Sequence, residues 1–229
     1  MNKIASKMLF SKSLNVGYAP VPKIACTSIK EYFFYIQNKF TFQVFDVGKK
    51  HFHIHNLAPT KEYAAWREEL AKHLHSNPFM FAVVREPIAR FVSCYSNRIL
   101  YHDDISKNAK VSEVISEAGL PTRPDINTFA SNLEFYSMHA GSVRHHTLPI
   151  VEFLGRDRDT FSKIYPISEV NTSLLSDLSD WTGLELQSIA HRKQAGGPKL
   201  KKDELSRENI TKLEAYYAED YKIFGDYFN

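Results

Sequence analysis

A short apolar run followed at once by a charged tripeptide is the feature that most constrains the fold of this chain. Phe79–Val84, FMFAVV, is typical of a buried strand in a parallel sheet, and Arg85-Glu86-Pro87 follows it directly. Proline suits the first turn of a helix, and apolar residues then recur at helical spacing as far as Ile99. The sequence therefore predicts an α/β unit with Arg85 at the carboxyl end of a strand, where open α/β sheets bind ligands.

A second segment, the anion loop (Val21–Lys30, VPKIACTSIK), precedes an apolar helical pattern. A helix N-terminus offers unpaired N–H groups and a partial positive charge, which Lys23 would reinforce. The segment therefore predicts a cradle for phosphate or sulfate, with an ordinary turn into a helix as the alternative. It is not a Walker A loop, because no glycine lies between Gly17 and Gly48. Its small or hydroxylated residues, which let a ligand approach the backbone, are Ala25, Cys26, Thr27 and Ser28.

Taken together, the two segments resemble the donor site of sulfotransferase family 2, a family of carbohydrate sulfotransferases. The anion loop is similar to the family's 5′-phosphosulfate loop. FAVVREPIARFVSCYSNRI is similar to its 3′-phosphate site, in which a serine follows the arginine by eight residues, here Ser93 after Arg85. The closest pattern is that of the uronyl, or heparan sulfate, 2-O-sulfotransferase branch. That branch also has an arginine–lysine pair that reaches the 3′-phosphate, and Arg192 and Lys193 match it.

Length and resemblance together predict one sulfotransferase domain over residues 1–229. A chain of 229 residues can bury a substantial core. The predicted fold is α/β, with a parallel central sheet flanked by helices, as in the P-loop NTPase-like sulfotransferases. Further predicted elements are a first strand at 14–19, a strand at 161–167, and helices at 24–39, 60–74, 126–138, 173–182 and 206–224.

Charge and cysteine usage narrow the class of protein. The formal charge of +3 is too small to indicate nucleic-acid binding, and the basic residues between 192 and 202 are equally typical of a solvated loop. The only cysteines, Cys26 and Cys94, do not form a disulfide framework. No run of about 18 apolar residues marks a transmembrane helix, and the N-terminus lacks a signal-peptide core. These observations predict a soluble cytoplasmic enzyme, of bacterial origin, and leave its oligomeric state open.

Alternating residues between Lys50 and Asn56 predict a strand with an apolar and a polar face. His51, His53 and His55 would share the polar face. An exposed polar face, a zinc site and a catalytic base are all compatible with that pattern. The uronyl branch has a similar H-x-H between its two donor motifs, with a histidine acting as base. His53-Ile54-His55 matches that pattern in type and order. Because the last residue of a parallel strand lies nearest the carboxyl edge of the sheet, His55 is the first candidate and His53 the second.

The resemblance implies transfer of a sulfuryl group from 3′-phosphoadenosine 5′-phosphosulfate (PAPS) to an acceptor hydroxyl, most simply on a carbohydrate. Such a transfer depends on in-line geometry and charge stabilisation. Lys23 would stabilise the leaving oxygen while the anion loop holds the 5′-phosphate. Arg85 and Ser93, with the arginine–lysine pair, would hold the 3′-phosphate that remains in the product, 3′-phosphoadenosine 5′-phosphate (PAP). A histidine would take the acceptor's proton, and no metal is required.

Two other classes of function stay open from the residues alone. A P-loop-like kinase of small molecules would need a Walker A loop and a clear acidic strand end for magnesium, and neither is present. A non-catalytic nucleotide-binding module would keep Lys23 and Arg85 but would need no base. If the histidines near residue 53 are not the base, His145 and His146 are the next candidates.

Overall fold

The computed structural model describes residues 7–57, 61–62, 77–186, 188 and 196–228. The chain divides into two compact units. The first comprises Met1–Val84, Ile150–His191 and Tyr227–Asn229, and it contains the β-sheet. The second comprises Arg85–Pro149 and Arg192–Asp226, and its described residues form helices joined by loops.

The strands of the structure are β1 (Lys7–Ser11), β2 (Val16–Ala19), β3 (Phe45–Val47), β4 (Lys50–Phe52), β5 (Lys61–Glu62), β6 (Phe79–Val84) and β7 (Lys163–Pro166). Five of them form the sheet of the first unit, in the order β5-β1-β2-β6-β7. Strands β2, β6 and β7 are parallel neighbours, whereas β1 is antiparallel to both β2 and β5. The predicted parallel sheet is therefore a mixed, mostly parallel one, because a tight turn at residues 12–15 joins β1 to β2 and forces them antiparallel.

Helices flank this sheet, so the predicted α/β class is confirmed. Helix α1 (Cys26–Asn38) packs on the sheet through Phe33, whose ring lies 6.1 Å from that of Phe81 on β6. A second helix, Ser173–Thr182, approaches the sheet through Trp181, whose ring lies 5.5 Å from that of Phe79. The apolar run of the sequence is thus a central strand covered by side chains.

The predicted strand at 50–56 is wrong beyond Phe52. Strand β4 ends there, after pairing with β3 in a separate two-stranded hairpin, and Ile54–Leu57 forms a short helix, α2. The N–H of His53 donates to Asn56 Oδ1 at 2.9 Å, a local side-chain bond that competes with strand pairing. Ile54 is fully buried and anchors the helical turn. The three histidines therefore do not share a strand face.

Another correction concerns the predicted helix at 60–74. Residues 61–62 pair with β1 as strand β5, and Thr60 and residues 63–74 lie outside the described residues. In the part of the chain that is described, no helix has the length and apolar character to cross a membrane.

The second unit is built around the helix that follows Arg85. Phe91 on that helix stacks on Phe129 at 5.4 Å, inside a core that also contains Tyr217. The helices predicted at 126–138 and 206–224 are each interrupted once, at Asn132 and Tyr217. The helices of this unit are α3 (Pro87–Cys94), a π-helix (Tyr95–Tyr101), Ala109–Glu117, Ile126–Ser131, Leu133–His139, Gly141–Thr147, Arg207–Tyr216 and Ala218–Phe224.

Candidate functional site

The anion loop has an unusual backbone between β2 and α1. Lys23 and Ala25 have φ angles of 66° and 50°, in the left-handed region that non-glycine residues rarely adopt. Val21 and Ile24 are fully buried and hold the loop in this conformation. Strained non-glycine residues held by their surroundings are a feature of ligand-binding sites.

Helix α1 begins inside this loop without a side-chain cap. Its N-cap residue is Ala25, whose methyl group cannot accept a hydrogen bond, and the first helical bond runs from Ile29 N to Ala25 O at 3.0 Å. The N–H groups of Cys26, Thr27 and Ser28 consequently have no backbone acceptor within the helix, although the backbone of Thr27 is hydrogen-bonded to the Cys26 thiol. Three such donors and the positive end of a helix dipole suit an anion.

Two side chains of the anion loop, those of Cys26 and Lys30, modify its electrostatics. Burial raises the pKa of the Cys26 thiol, an effect that the nearby Lys30 ammonium and Lys23 oppose, so the thiol is protonated at neutral pH. Lys30 is only 5% exposed, and burial lowers its pKa. Lys30 was not among the residues predicted from the sequence, although its position one helical turn after Cys26 was a usable signal.

His55 lies directly beside the anion loop. Its Nε2 is 3.1 Å from Thr27 Oγ1, and its ring stacks on that of His53 with the centroids 5.0 Å apart. His55 is exposed, whereas the intervening Ile54 is buried. The structure thus brings the two predicted candidate bases next to the loop, although on a helical turn and not on the predicted strand.

The zinc interpretation of the three histidines is not supported. His51 lies on the hairpin, where its Nδ1 bonds Asp46 Oδ1 at 2.8 Å. Within the described residues, no group of three or more histidine, cysteine, aspartate and glutamate side chains is placed to hold a metal ion.

The three residues of the Arg-Glu-Pro motif have different structural roles. Glu86 caps α3 by accepting a hydrogen bond from Ala89 N at 2.6 Å, and the Tyr221 hydroxyl also donates to Glu86. Pro87 opens the helix, where its missing N–H costs nothing. Arg85 is half-buried, and burial lowers its pKa, but a guanidinium stays charged at neutral pH.

Ser93 lies near the end of α3 and is partly exposed. One turn later, in the π-helix, Ser96 Oγ donates to Pro198 O at 2.5 Å. Gly197 has a φ of 89°, and a Cβ at that position would overlap the Ser96 carbonyl oxygen. The segment that follows the arginine–lysine pair is therefore anchored on the helical stretch that carries Ser93. Arg192 and Lys193 themselves lie outside the described residues.

The remaining candidate bases are on the helix Gly141–Thr147 of the second unit. His146 Nδ1 lies 2.7 Å from Ser142 O, and the fully buried Arg90 donates to the His146 carbonyl at 3.1 Å. His145 is exposed. The contacts of His146 are those of a residue that holds the helix in place.

The capping role of Glu86 gives a stability prediction. Glu86→Ala removes the acceptor for Ala89 N and for the Tyr221 hydroxyl, so we expect the free energy of unfolding to fall by about 1–2 kcal/mol. Denaturant unfolding followed by circular dichroism measures this. Tyr221→Phe, which leaves the cap intact, should cost less. If the unfolding midpoint of Glu86→Ala equals that of the wild-type protein, the cap does not contribute to stability.

Comparison with known proteins identifies a family. A model of the sulfotransferase family matches residues 6–228, nearly the whole chain, and so includes every candidate residue described above. No curated protein and no solved structure matches the chain. The match is to the family as a whole, so the resemblance to the uronyl branch stays a prediction.

Proposed function

Because the chain belongs to the sulfotransferase family, we propose that it transfers a sulfuryl group from PAPS to a hydroxyl of a carbohydrate acceptor. Family membership supports sulfuryl transfer in general, and PAPS is the usual donor of the family. One observation carries the finer proposal: an anion cradle at an uncapped helix N-terminus has a histidine 3.1 Å from one of its hydroxyls.

The residues of the anion loop suit the 5′ end of such a donor. The N–H groups of Cys26, Thr27 and Ser28 would hold the 5′-phosphate, and the small side chain of Ala25 would leave room for it. The Lys23 ammonium would neutralise charge on the oxygen that leaves. A sulfuryl group carries less charge than a phosphoryl group, so N–H groups and one lysine are an adequate set of donors without a metal ion.

His55 would act as general base for the acceptor. As the acceptor oxygen forms its bond to sulfur, the bond from sulfur to the 5′-phosphate oxygen breaks and its electron pair stays on that oxygen. His55 Nε2 takes the acceptor's proton, in place of its present contact with Thr27. His53, stacked on the same ring, is the second candidate. PAPS supplies the sulfuryl group and leaves as PAP.

Arg85 and Ser93 would hold the 3′-phosphate, helped by Arg192 and Lys193. An arginine can bind a phosphate through two parallel N–H bonds, and a serine adds a hydroxyl donor. The position of Arg85 directly after β6, a central strand parallel to β2, supports this role.

The 3′-phosphate assignment predicts a binding preference. PAP should bind at least tenfold more tightly than 5′-AMP, since a charge-assisted hydrogen bond contributes roughly 1.5–3 kcal/mol. Arg85→Ala should abolish this preference in calorimetric titrations, whereas replacement of Arg207, an exposed arginine of the same unit, should leave it intact. Equal affinity of the wild-type protein for the two nucleotides would remove the 3′-site assignment.

Domain organisation and compartment are also proposals. The family match extends across both compact units, which supports one sulfotransferase domain over residues 1–229. Cys26 and Cys94 are not joined in a disulfide, which suits the reducing interior of a cell and supports the proposal of a cytoplasmic enzyme. A bacterial origin is part of the same proposal.

A further inference from the structure

Large apolar side chains are concentrated on the surface of one stretch of the first unit. Of the ten that are exposed among the described residues, six lie between residues 35 and 57. Phe40 is 60% exposed and Val47 is 59% exposed, and their clustering with four other such residues distinguishes them from singly scattered surface hydrophobic residues. The six are Tyr35, Phe40, Val44, Phe45, Val47 and Leu57.

The hairpin in this stretch has two chemically different faces. Its register places Phe45 opposite Phe52 and Val47 opposite Lys50, so these four side chains share one face. The other face carries the hydrogen-bonded aspartate–histidine pair. Gly48, with a φ of 61°, makes the tight turn between the strands.

A chain of aromatic contacts connects the apolar face to helix α1. The rings of Phe45 and Phe52 stack at 5.1 Å, and Phe42 lies 6.4 Å from Phe45. Phe34 on α1 meets Phe42 and Phe40 edge-on, at 5.5 Å and 5.3 Å. These contacts join the exposed apolar side chains to helix α1, so the apolar surface is part of the folded first unit.

Lysines border this surface. Lys49 and Lys50 are exposed at the turn, and the one acidic residue between positions 39 and 52 is Asp46, on the opposite face. Apolar and aromatic side chains next to lysines are the combination that enters the interface of a membrane with anionic lipids. A second copy of the chain would bring like charges together, and an anionic glycan would leave the apolar side chains in water.

We propose that the apolar surface at and beside the hairpin (Phe40, Phe45, Val47, Lys49 and Lys50) docks on the surface of a membrane that contains anionic lipids. The phenylalanines and Val47 would enter the headgroup region while the two lysines contact lipid phosphates. None of these five residues is among those proposed to bind the donor or the acceptor, so failure of this proposal would leave the proposed sulfuryl transfer untouched.

Sedimentation of the full chain with lipid vesicles tests this proposal. We expect binding to vesicles of equal parts phosphatidylcholine and phosphatidylglycerol, and much weaker binding to phosphatidylcholine alone. A Phe40→Ser, Val47→Ser variant should bind at least tenfold more weakly, because two apolar side chains no longer leave water. Lys49→Gln with Lys50→Gln should lose about thirtyfold on the anionic vesicles, since each lysine contributes about 1 kcal/mol.

The control is Met138→Ser, which removes an apolar side chain that is 74% exposed in the second unit and should not change vesicle binding. Unfolding curves check that each variant is folded. The proposal is overturned if the wild-type chain ignores anionic vesicles, or if the Phe40 and Val47 changes have no greater effect than the control. A dimer that these changes dissolve, or heparin binding that depends on the lysines alone, would identify a different occupant and equally overturn it.

Discussion

Replacing Lys23 by alanine is expected to lower kcat by about 10²–10³-fold, with a much smaller change in the KM for PAPS. Charge grows on the leaving oxygen as the sulfuryl group departs, so an ammonium at that position contributes more in the transition state than in the ground state. The measurement is steady-state kinetics with varied donor at saturating acceptor.

The chain offers a matched control for this substitution. Lys39 also has a left-handed backbone, with a φ of 63°, but it ends helix α1 and does not belong to the anion loop. Lys39→Ala changes the same side chain on a similar backbone and should leave kcat unchanged. If Lys23→Ala instead has a normal kcat and only a raised KM, Lys23 is an anchor for the phosphate and not a transition-state group.

His55→Ala should cost about 10²–10⁴-fold in kcat/KM while PAP binding stays intact. A general base contributes that much when it lies within hydrogen-bond reach of the proton it removes, and His55 Nε2 is 3.1 Å from the cradle residue Thr27. The wild-type rate should rise with pH as the imidazole loses its proton, and the variant should lack this rise. Kinetics over a pH series, with calorimetric titration of PAP, measure both effects.

The control for this experiment is His51→Ala. His51 is a hairpin residue that pairs with Asp46, and its loss should leave activity unchanged. Near-full activity of both His55→Ala and His53→Ala, with an unchanged pH profile, would show that the base lies elsewhere. His145 and His146 would then be tested.

Local signals made β6, α3 and α1 predictable. A continuous apolar run followed by a proline at a helix start leaves little choice of secondary structure, and Phe79–Val84 and Pro87–Cys94 formed as expected. The anion loop was likewise recognisable from its residue types. Its two left-handed residues were not, because neither lysine nor alanine signals a positive φ.

Burial and side-chain hydrogen bonds, which periodicity does not show, account for the predictions that were wrong. Alternation near residue 53 resembles a strand, but burial of Ile54 and the bond from His53 N to Asn56 turn the chain into a helix. Strand β1 was not predicted, and its antiparallel pairing with β2 and β5 makes the sheet mixed. The hydrogen bond from the Tyr221 hydroxyl to Glu86 was not predictable either, because the two residues are far apart in sequence.

Sulfuryl transfer from PAPS is tested most directly by following two labels in parallel. The full chain is incubated with a panel of glycans and either PAPS labelled in its sulfur or ATP labelled in its γ-phosphate, the latter with magnesium. The account predicts that the sulfur label moves to a glycan, that Lys23→Ala greatly slows this transfer, and that the phosphate label does not move. Transfer of the phosphate label, with the sulfur label remaining on the nucleotide across the whole panel, would contradict it.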